Sequence, residues 1–440
     1  MATSALRNKQ RLSCRELLLG AAAAAVTARA WGQGGAVDDH TRQSLAAAAE
    51  FLWSQQADDG GWHSPQYGVM RSGQALTPFV LDALVGVPEA AFARSAESVD
   101  RALAFIVGHV DERGCVGRSD PELIEYPIYS TVYALRCLST AGQTLDVKSQ
   151  LFKALDERVR RLGRRETAQH PPIDVEIANF LGQAQFQESN GFAANNVAFG
   201  GWGFDAPLHP GKPGHMDLAH TRRALQSLTA YWARKGEARK ESPDYEFQRR
   251  AESFLLVMQN HPQAAARPQL ADDSSESNAP PPSFDAPFDG GFYFSPVVLE
   301  ANKGRVEDEP APHWRSYATA TCDGVLALLA AGVPRDDERV TAAVAWLRRQ
   351  TNLEYPQGVP REHPEPWGAA IRFYHYAVRA EAYWRLDWPA RERAQLAALV
   401  CDKQDADGSF VNRESPLMKE DDPVLCTALA VVALSNCLFA

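Results

Sequence analysis

Two short stretches of this 440-residue chain carry side chains that could transfer protons or bind a metal ion. The first is His215-Met216-Asp217-Leu218-Ala219-His220. Asp217 and His220 are three residues apart, so a helix that begins here carries both on one face. They could form a histidine–carboxylate acid–base pair or supply ligands to a metal ion. The structural alternative is an aspartate at a helix N-terminus with a histidine nearby.

The second stretch is Lys419-Glu420-Asp421-Asp422, directly before the last apolar segment. Neighbouring carboxylates at a helix N-terminus can shift apart in pKa, which would make Asp422 a candidate acid. Acidic residues are also favoured in the first turn of a helix because they stabilise its dipole. Catalysis and helix capping therefore both stay open for Asp422.

The elements that must position these residues alternate between two helical patterns. Amphipathic segments with one charged face occur at 40–56, 98–110, 148–163, 245–260, 337–350 and 391–404. Each is followed by a segment that is apolar nearly all round, at 74–87, 126–142, 216–233, 316–332, 369–384 and 422–439. A helix without a charged face is buried. The alternation predicts an all-α fold, an (α/α)6 toroid of six inner and six outer helices, with 172–186 as an extra segment of the third unit.

A recurring corner separates each pair of helices. Its first copy, "FLWSQQADDGGWHS" at 51–64, is followed by weaker or shorter copies at 113–117, 199–205, 289–295, 354–358 and 407–412. The glycines let the chain turn sharply between an outer and an inner helix. We expect Gln56 to hydrogen-bond backbone groups left unpaired at the helix end, and Trp62 to lie over that end.

The corner resembles a known repeat. Phe51-Leu52, Gln56, Gly60 and Trp62 share their spacing with Leu399-Val400, Gln404, Gly408 and Phe410. This spacing resembles the QW repeat of squalene-hopene cyclases and the related prenyltransferase/squalene oxidase repeat. The resemblance implies a toroid of the terpenoid cyclase and protein prenyltransferase superfamily, and the chain length fits one such ring.

The resemblance also implies two kinds of catalytic site, and this chain matches neither fully. Class II cyclases of the superfamily use an Asp-x-Asp-Asp acid, which does not occur here, and Lys419 stands where its first aspartate would be. Protein prenyltransferases hold zinc with Asp, Cys and His. Asp323 and His375 resemble the first and last of these ligands, while Val325 replaces the cysteine. Zinc at Asp323 and His375 is therefore one hypothesis, and a hydrogen-bonded cavity histidine is the other.

A central cavity is the remaining expectation. First-turn residues of the inner helices should gather at one end of the ring. The candidate catalytic residues among them are Asp217, His220, Asp323, His375 and Asp422. We expect the ligand cavity to be lined by Thr77, Tyr126, Tyr129, Trp314, Tyr317 and Tyr374. Positions further along the inner helices are leucine, valine, alanine and aromatic residues. An apolar well with such a rim would suit an isoprenoid or another long apolar ligand, unless the protein's own side chains fill it.

The composition and the N-terminal segment limit which partners and which location are expected. The net charge of −10 disfavours nucleic acid as a partner. Residues 1–30 combine a basic start, an apolar run and Ala28-Arg29-Ala30, which is typical of an export signal. We therefore expect a periplasmic or cell-envelope protein with one toroid domain at 31–440, a flexible insertion at 261–287 and no transmembrane span after the signal.

Three functions stay open at this point. The first is an isoprenoid-binding protein, which includes a terpenoid cyclase or prenyltransferase-like enzyme with a non-standard acid. The second is a non-catalytic binding or scaffold toroid, with or without a protein partner. The third is a carbohydrate-active (α/α)6 enzyme, which would need paired carboxylates across an open cleft.

Overall fold

The computed structural model describes residues 36–120, 122–144, 150–161, 172–207, 209–236, 245–262, 288–306 and 313–438. Its helices and strands in chain order are α1 (Ala36–Ser54), α2 (Leu76–Val85), α3 (Ala96–Gly108), α4 (Pro127–Thr144), α5 (Gln150–Arg161), α6 (Ile173–Ala184), α7 (Leu218–Arg234), α8 (Glu246–Met258), β1 (Arg305–Val306), β2 (His313–Trp314), α9 (Ala318–Ala330), α10 (Glu338–Arg348), α11 (Trp367–Ala370), α12 (Arg372–Arg385), α13 (Ala390–Cys401) and α14 (Pro423–Leu438). The predicted export signal at 1–30 and nearly all of the predicted insertion at 261–287 lie outside the described residues.

Six helices form a closed inner ring, in the order α2, α4, α7, α9, α12 and α14. Each packs against the next, and α14 packs back against α2. Outside this ring, α1, α3, α6, α8, α10 and α13 each pack against one or two inner helices. The predicted all-α toroid of six inner and six outer helices is therefore confirmed. Among the described helices, none combines the length and the apolar composition that crossing a bilayer requires.

The inner helices all begin at the same end of the ring, which we call the mouth. Backbone hydrogen bonds join the start of one inner helix to the corner that leads into the next. The Ile128 N–H donates to Phe204 O (3.3 Å), Leu218 N–H to Phe294 O (3.0 Å) and Ala318 N–H to Gln357 O (2.8 Å). Side chains in the first turns of the inner helices are thereby brought to one place.

The corners are held by glutamines that link neighbouring outer helices. Gln56 Nε2 donates to Gly60 O (3.0 Å) and to Ser98 O in α3 (2.8 Å). Gln404 repeats this with Gly408 O and with Ser44 O in α1 (both 2.9 Å), which closes the ring between the last and the first outer helix. The indole of Trp62 is fully buried and donates to Leu52 O (2.6 Å). Trp62 therefore lies against the end of α1 as expected, while Gln56 pairs with carbonyl groups of the corner and of α3 and not with the end of α1.

The prediction for the third outer helix was wrong. The segment expected there, 148–163, contains α5, which packs on the outer helix α3. The third outer helix is α6, from the segment expected to be extra, and it packs against α4 and α7. Gln185, just after α6, makes the corner contacts, donating to Gly200 O (3.0 Å) and Phe247 O (2.8 Å). An amphipathic pattern alone does not tell a helix on the inner ring from one on another outer helix.

Glycine at the corners is required by space as well as by backbone angle. Gly408 has φ +88°, and a Cβ atom built there would lie 2.5 Å from Ala47 O in α1. Gly332, in the turn after the inner helix α9, has φ +84° with nothing within 4 Å of such a Cβ atom. The pair separates the cost of the left-handed backbone from the cost of close packing.

We expect Gly332→Ala to lower the free energy of unfolding by about 1–2 kcal/mol, the usual cost of the left-handed region. Gly408→Ala should cost about 1–3 kcal/mol more, because the added methyl group forces α1 away from the corner. Chemical denaturation of both variants measures the difference. Equal losses would mean that the corner does not hold α1.

Candidate functional site

Asp217 is the centre of a histidine–carboxylate group at the mouth. As the N-cap of α7, its Oδ1 accepts the His220 N–H (2.9 Å). Its Oδ2 lies 2.8 Å from His220 Nδ1 and 3.1 Å from His215 Nε2. Burial raises the pKa of Asp217, but the two imidazoles outweigh it and leave that pKa well below its ordinary value of 3.8. Asp217 is therefore a carboxylate at neutral pH and not a proton donor.

Aromatic side chains surround this group. Tyr129 stacks on the His220 ring with centroids 4.0 Å apart, and Phe204 meets its edge at 6.4 Å. Tyr126 packs on Phe204 at 5.3 Å. The aromatic lining, which we define as the partly exposed rings at the mouth, consists of Tyr126, Tyr129, Phe204, Phe294, Trp367 and Tyr374. Each of these residues is only partly buried, so the lining is not fully enclosed by the protein.

Lys303, which the sequence analysis did not single out, lies within this lining. Its side chain is 3% exposed, and its Nζ lies 3.5 Å from the Trp367 ring centroid and 5.0 Å from that of Phe294. The ammonium also lies 5.8 Å from the Tyr317 ring and donates to Ala301 O. Burial lowers the pKa of Lys303 to about 7, although the charge of Asp217 opposes this. Lys303 is thus an amine that titrates near neutrality.

The interior of the ring below the mouth is charged, not apolar. Arg222 Nε lies 2.6 Å from Asp323 Oδ1, and Arg222 Nη1 lies 2.9 Å from Glu381 Oε2. Arg223 Nη1 lies 3.5 Å from the same oxygen of Glu381. We call Arg222, Arg223, Asp323 and Glu381 the ion cluster.

The ion cluster spans the ring interior. Arg222 on α7 pairs with Glu381 on α12, and these helices are not neighbours in the ring. The Arg223 guanidinium also lies 5.8 Å from the Tyr133 ring on α4 and 5.9 Å from the Tyr374 ring on α12, on the opposite side. The expectation that the deeper positions would form an apolar well was wrong, because the helix pattern does not show which charged residues turn inward.

Asp323 and His375 have different hydrogen-bond partners in the structure. The Tyr374 hydroxyl donates to Asp323 at 3.0 and 3.2 Å. His375 follows Tyr374 by one helical step, about 100° round the helix, and its Nδ1 pairs with the Thr319 hydroxyl at 3.1 Å. Each residue thus has a hydrogen-bond partner of its own, and zinc at Asp323 and His375 stays a prediction. Burial raises the pKa of Asp323, and Arg222 opposes that rise.

The Asp422 carboxylate caps the start of α14. Its Oδ1 accepts the N–H groups of Val424 and Leu425 (both 3.0 Å), and its Oδ2 accepts the Ser64 hydroxyl (2.5 Å). This is the capping role left open above. Nearby Glu420 accepts the N–H groups of Phe373 and Tyr374, while burial raises its pKa to about 7.

Two expected cavity residues serve the scaffold instead. The Thr77 hydroxyl accepts the Trp62 N–H (2.9 Å), and Thr131, Thr221, Thr321 and Thr427 accept the equivalent N–H at four other corners. Trp314 lies in β2 with Arg305 stacked 5.3 Å over its ring. Of the six expected residues, Tyr126, Tyr129, Tyr317 and Tyr374 contact the groups described at the mouth. A separate cavity of about 740 Å³ between α3 and α5, lined by His109 and Lys153 among others, contains none of them.

Comparisons with known proteins find similar folds only among solved structures. No family model and no curated protein matches the chain. The type II terpene cyclase MstE from Scytonema, without ligand, is 17% identical with a TM-score of 0.46, covering 91% of this chain and 98% of that one. A variant of MstE in complex with geranylgeranyl dihydroxybenzoate is 15% identical (TM-score 0.45, coverage 91% and 98%). A protein from Actinoplanes is 16% identical (TM-score 0.47, coverage 90% and 99%). The matches include terpene cyclases, the class that the sequence resemblance named, and the ring assignment rests on the chain's own helix contacts.

Proposed function

We propose that the mouth of the ring binds an isoprenoid or another long apolar ligand, and that the protein is exported to the periplasm or cell envelope. The single observation that carries the binding proposal is the aromatic lining. Aromatic side chains contribute large apolar contact areas, and each methylene buried against them contributes about 0.8 kcal/mol. The ion cluster forms the floor of such a site, so the hydrocarbon would lie across the mouth and not run through the ring.

Binding of geranylgeraniol, followed by tryptophan fluorescence because Trp367 lies in the lining, tests this proposal. We expect saturable binding that Tyr129→Ala and Phe294→Ala each weaken about tenfold, which corresponds to about 1.4 kcal/mol. Phe92→Ala is the matched control, since Phe92 is a partly exposed aromatic residue beyond the other end of α2. Absence of saturation, or equal weakening by all three variants, would refute a ligand site at the mouth.

We propose further that Asp323 and Tyr374 handle the proton if the bound ligand is transformed. Asp323 is a buried carboxyl with a raised pKa, and the Tyr374 hydroxyl connects it to the partly exposed lining. A positioned acid or base contributes about 10²–10⁴-fold to a rate. With geranylgeraniol or squalene as the substrate, we therefore expect Asp323→Asn to reduce product formation at least about 100-fold while binding is largely retained.

A second function, a non-catalytic binding toroid, is favoured by a different observation. Asp217 is held ionised by two histidines, and Asp422 is held by the start of α14. Of Asp217, Asp323 and Asp422, only Asp323 therefore remains a candidate acid. Saturable binding with no product from the wild type under any of these conditions would favour this second function.

A further inference from the structure

We propose that His215, Asp217 and His220 form a binding site for a divalent transition metal ion of the zinc type. In the described ranges, they are the one group of three or more histidine, cysteine or acidic residues whose ligand atoms all lie close enough together, within 4.8 Å of one another. The proposal does not depend on the ligand proposed above, and it concerns different residues from the Asp323 and His375 pair.

The two distances to the Asp217 carboxylate are close to those that a metal ion requires. Zinc binds imidazole nitrogen at about 2.0–2.1 Å and carboxylate oxygen at about 2.0–2.2 Å, so tetrahedral neighbours are about 3.3 Å apart. The Asp217 oxygen lies 2.8 Å from His220 Nδ1 and 3.1 Å from His215 Nε2. Lengthening these two distances by a few tenths of an ångström brings them to that value, and the two imidazole nitrogens lie within 4.8 Å of each other.

The ligands are held in place by groups outside the site. Asp217 Oδ1 is fixed by the His220 N–H, which leaves Oδ2 free to face the two imidazoles. The stack on Tyr129 fixes the plane of the His220 ring. Holding ligands in this way is what makes a metal site selective and tight.

The charge and ligand types of the group favour a zinc-type ion. His220 faces the Asp217 carboxylate through Nδ1, the nitrogen that would bind the ion once its proton is displaced. A carboxylate with two neutral imidazoles carries one negative charge, which favours a dication, and two imidazoles favour zinc-type metals over calcium or magnesium.

The site would keep an open position. It has three protein ligands, and the His215 side chain is 47% exposed, so solvent and a ligand at the mouth can reach the ion. Three protein ligands with a free fourth position are typical of catalytic and not of structural zinc. The fourth position would take water or an oxygen atom of the bound ligand, which the ion would polarise.

Metal binding by the full chain tests the proposal without reference to activity. Protein purified without chelators is analysed for metals, stripped, and titrated with ZnCl2 against a chromophoric chelator. We expect one zinc ion per chain. His215→Ala should weaken affinity at least about 100-fold, and zinc should raise the Tm of the wild type but not of this variant. His215 is half exposed, so its loss should leave the fold intact.

His209→Ala is the matched control, because His209 is an exposed histidine on the same loop that is not part of the group. Its affinity for zinc should stay within about twofold of the wild type. The proposal is overturned if the wild type binds no stoichiometric zinc. It is equally overturned if His215→Ala binds zinc as tightly as the wild type, since an adventitious ion would behave in that way.

Discussion

Replacement of Glu381 by glutamine should lower the free energy of unfolding by about 3–5 kcal/mol, the usual cost of removing one partner from a buried ion pair. Glu381 faces two guanidinium groups inside the ring, at 2.9 Å (Arg222) and 3.5 Å (Arg223). Glutamine fills the same volume and keeps one carbonyl acceptor, but it leaves two buried cations with Asp323 as the remaining anion of the ion cluster. Urea denaturation followed by circular dichroism measures the loss.

Arg249→Gln is the matched control for this experiment. Arg249 and Glu246 form an exposed pair 3.7 Å apart, with side chains 75% and 46% exposed. An exposed pair of this kind contributes about 0–1 kcal/mol. If Glu381→Gln costs no more than this control, the charges do not meet inside the ring and our description of the floor is incorrect.

The same ion cluster makes the free energy of unfolding depend on pH in the acidic range. Burial raises the pKa of Glu381, but Arg222 and Arg223 outweigh it, so the folded-state pKa lies below the ordinary value of 4.5. A depressed carboxyl pKa stabilises the fold at pH values above that ordinary value, and the stabilisation is lost as the pH falls below it. The difference in stability between wild type and Glu381→Gln should therefore shrink on acidification below about pH 4.5.

Lys303→Met should raise the free energy of unfolding by about 2–4 kcal/mol at pH 7. The pKa of Lys303 falls from 10.5 to about 7 because the amine is buried, and a shift of this size costs about 4 kcal/mol at neutral pH. Removing the ammonium also removes its cation–π interactions, which offsets up to about 2 kcal/mol of that gain. Methionine keeps the volume and packs well against the aromatic rings.

The direction in which the free energy of unfolding changes with pH tests whether the buried ammonium of Lys303 is the cause of the expected gain. Between pH 7 and 10.5, lysine is protonated in the unfolded chain but mostly neutral in the folded protein. The free energy of unfolding of the wild type should therefore rise with pH over this range, relative to Lys303→Met. Lys212→Met, at an exposed lysine, should show neither the gain nor the changed slope. A destabilised Lys303→Met would mean that the ammonium is needed at the mouth.

The ring could be predicted from the sequence because its corners depend on local chemistry. The spacing of four residues between Gln56 and Gly60 is the spacing between Gln404 and Gly408, and both pairs form the same hydrogen bonds. The periodic apolar pattern then assigns each helix to the inner or outer layer. Both signals lie within about twenty residues of chain, so no knowledge of long-range contacts is needed.

The third outer helix was misassigned because an insertion separates its glutamine from the glycine of its corner. Gln185 and Gly200 are 15 residues apart, and Gln259 and Gly290 are 31 apart, yet each pair forms the same bond as Gln56 and Gly60. A search for a glutamine at the end of a helix, without a fixed distance to the glycine, would have identified α6. The tertiary contact defines the corner, and the number of residues inside it does not.

The site was predicted less well because it is assembled across the ring. Asp217 and His220 share one helical turn, so their contact could be expected. The pairing of Arg222 with Glu381 joins residues 159 positions apart, and no local pattern indicates which arginines turn inward. Lys303 lies on the loop between α8 and β1, where periodicity carries no information about burial.

A crystal structure of the protein with geranylgeraniol tests the central claim, that the mouth of the ring is a site for an apolar ligand, most directly. We expect the hydrocarbon chain to lie between Tyr129, Phe294 and Trp367, above an intact ion cluster. A ligand bound in the cavity between α3 and α5, or a mouth filled by the protein's own side chains, would contradict the claim.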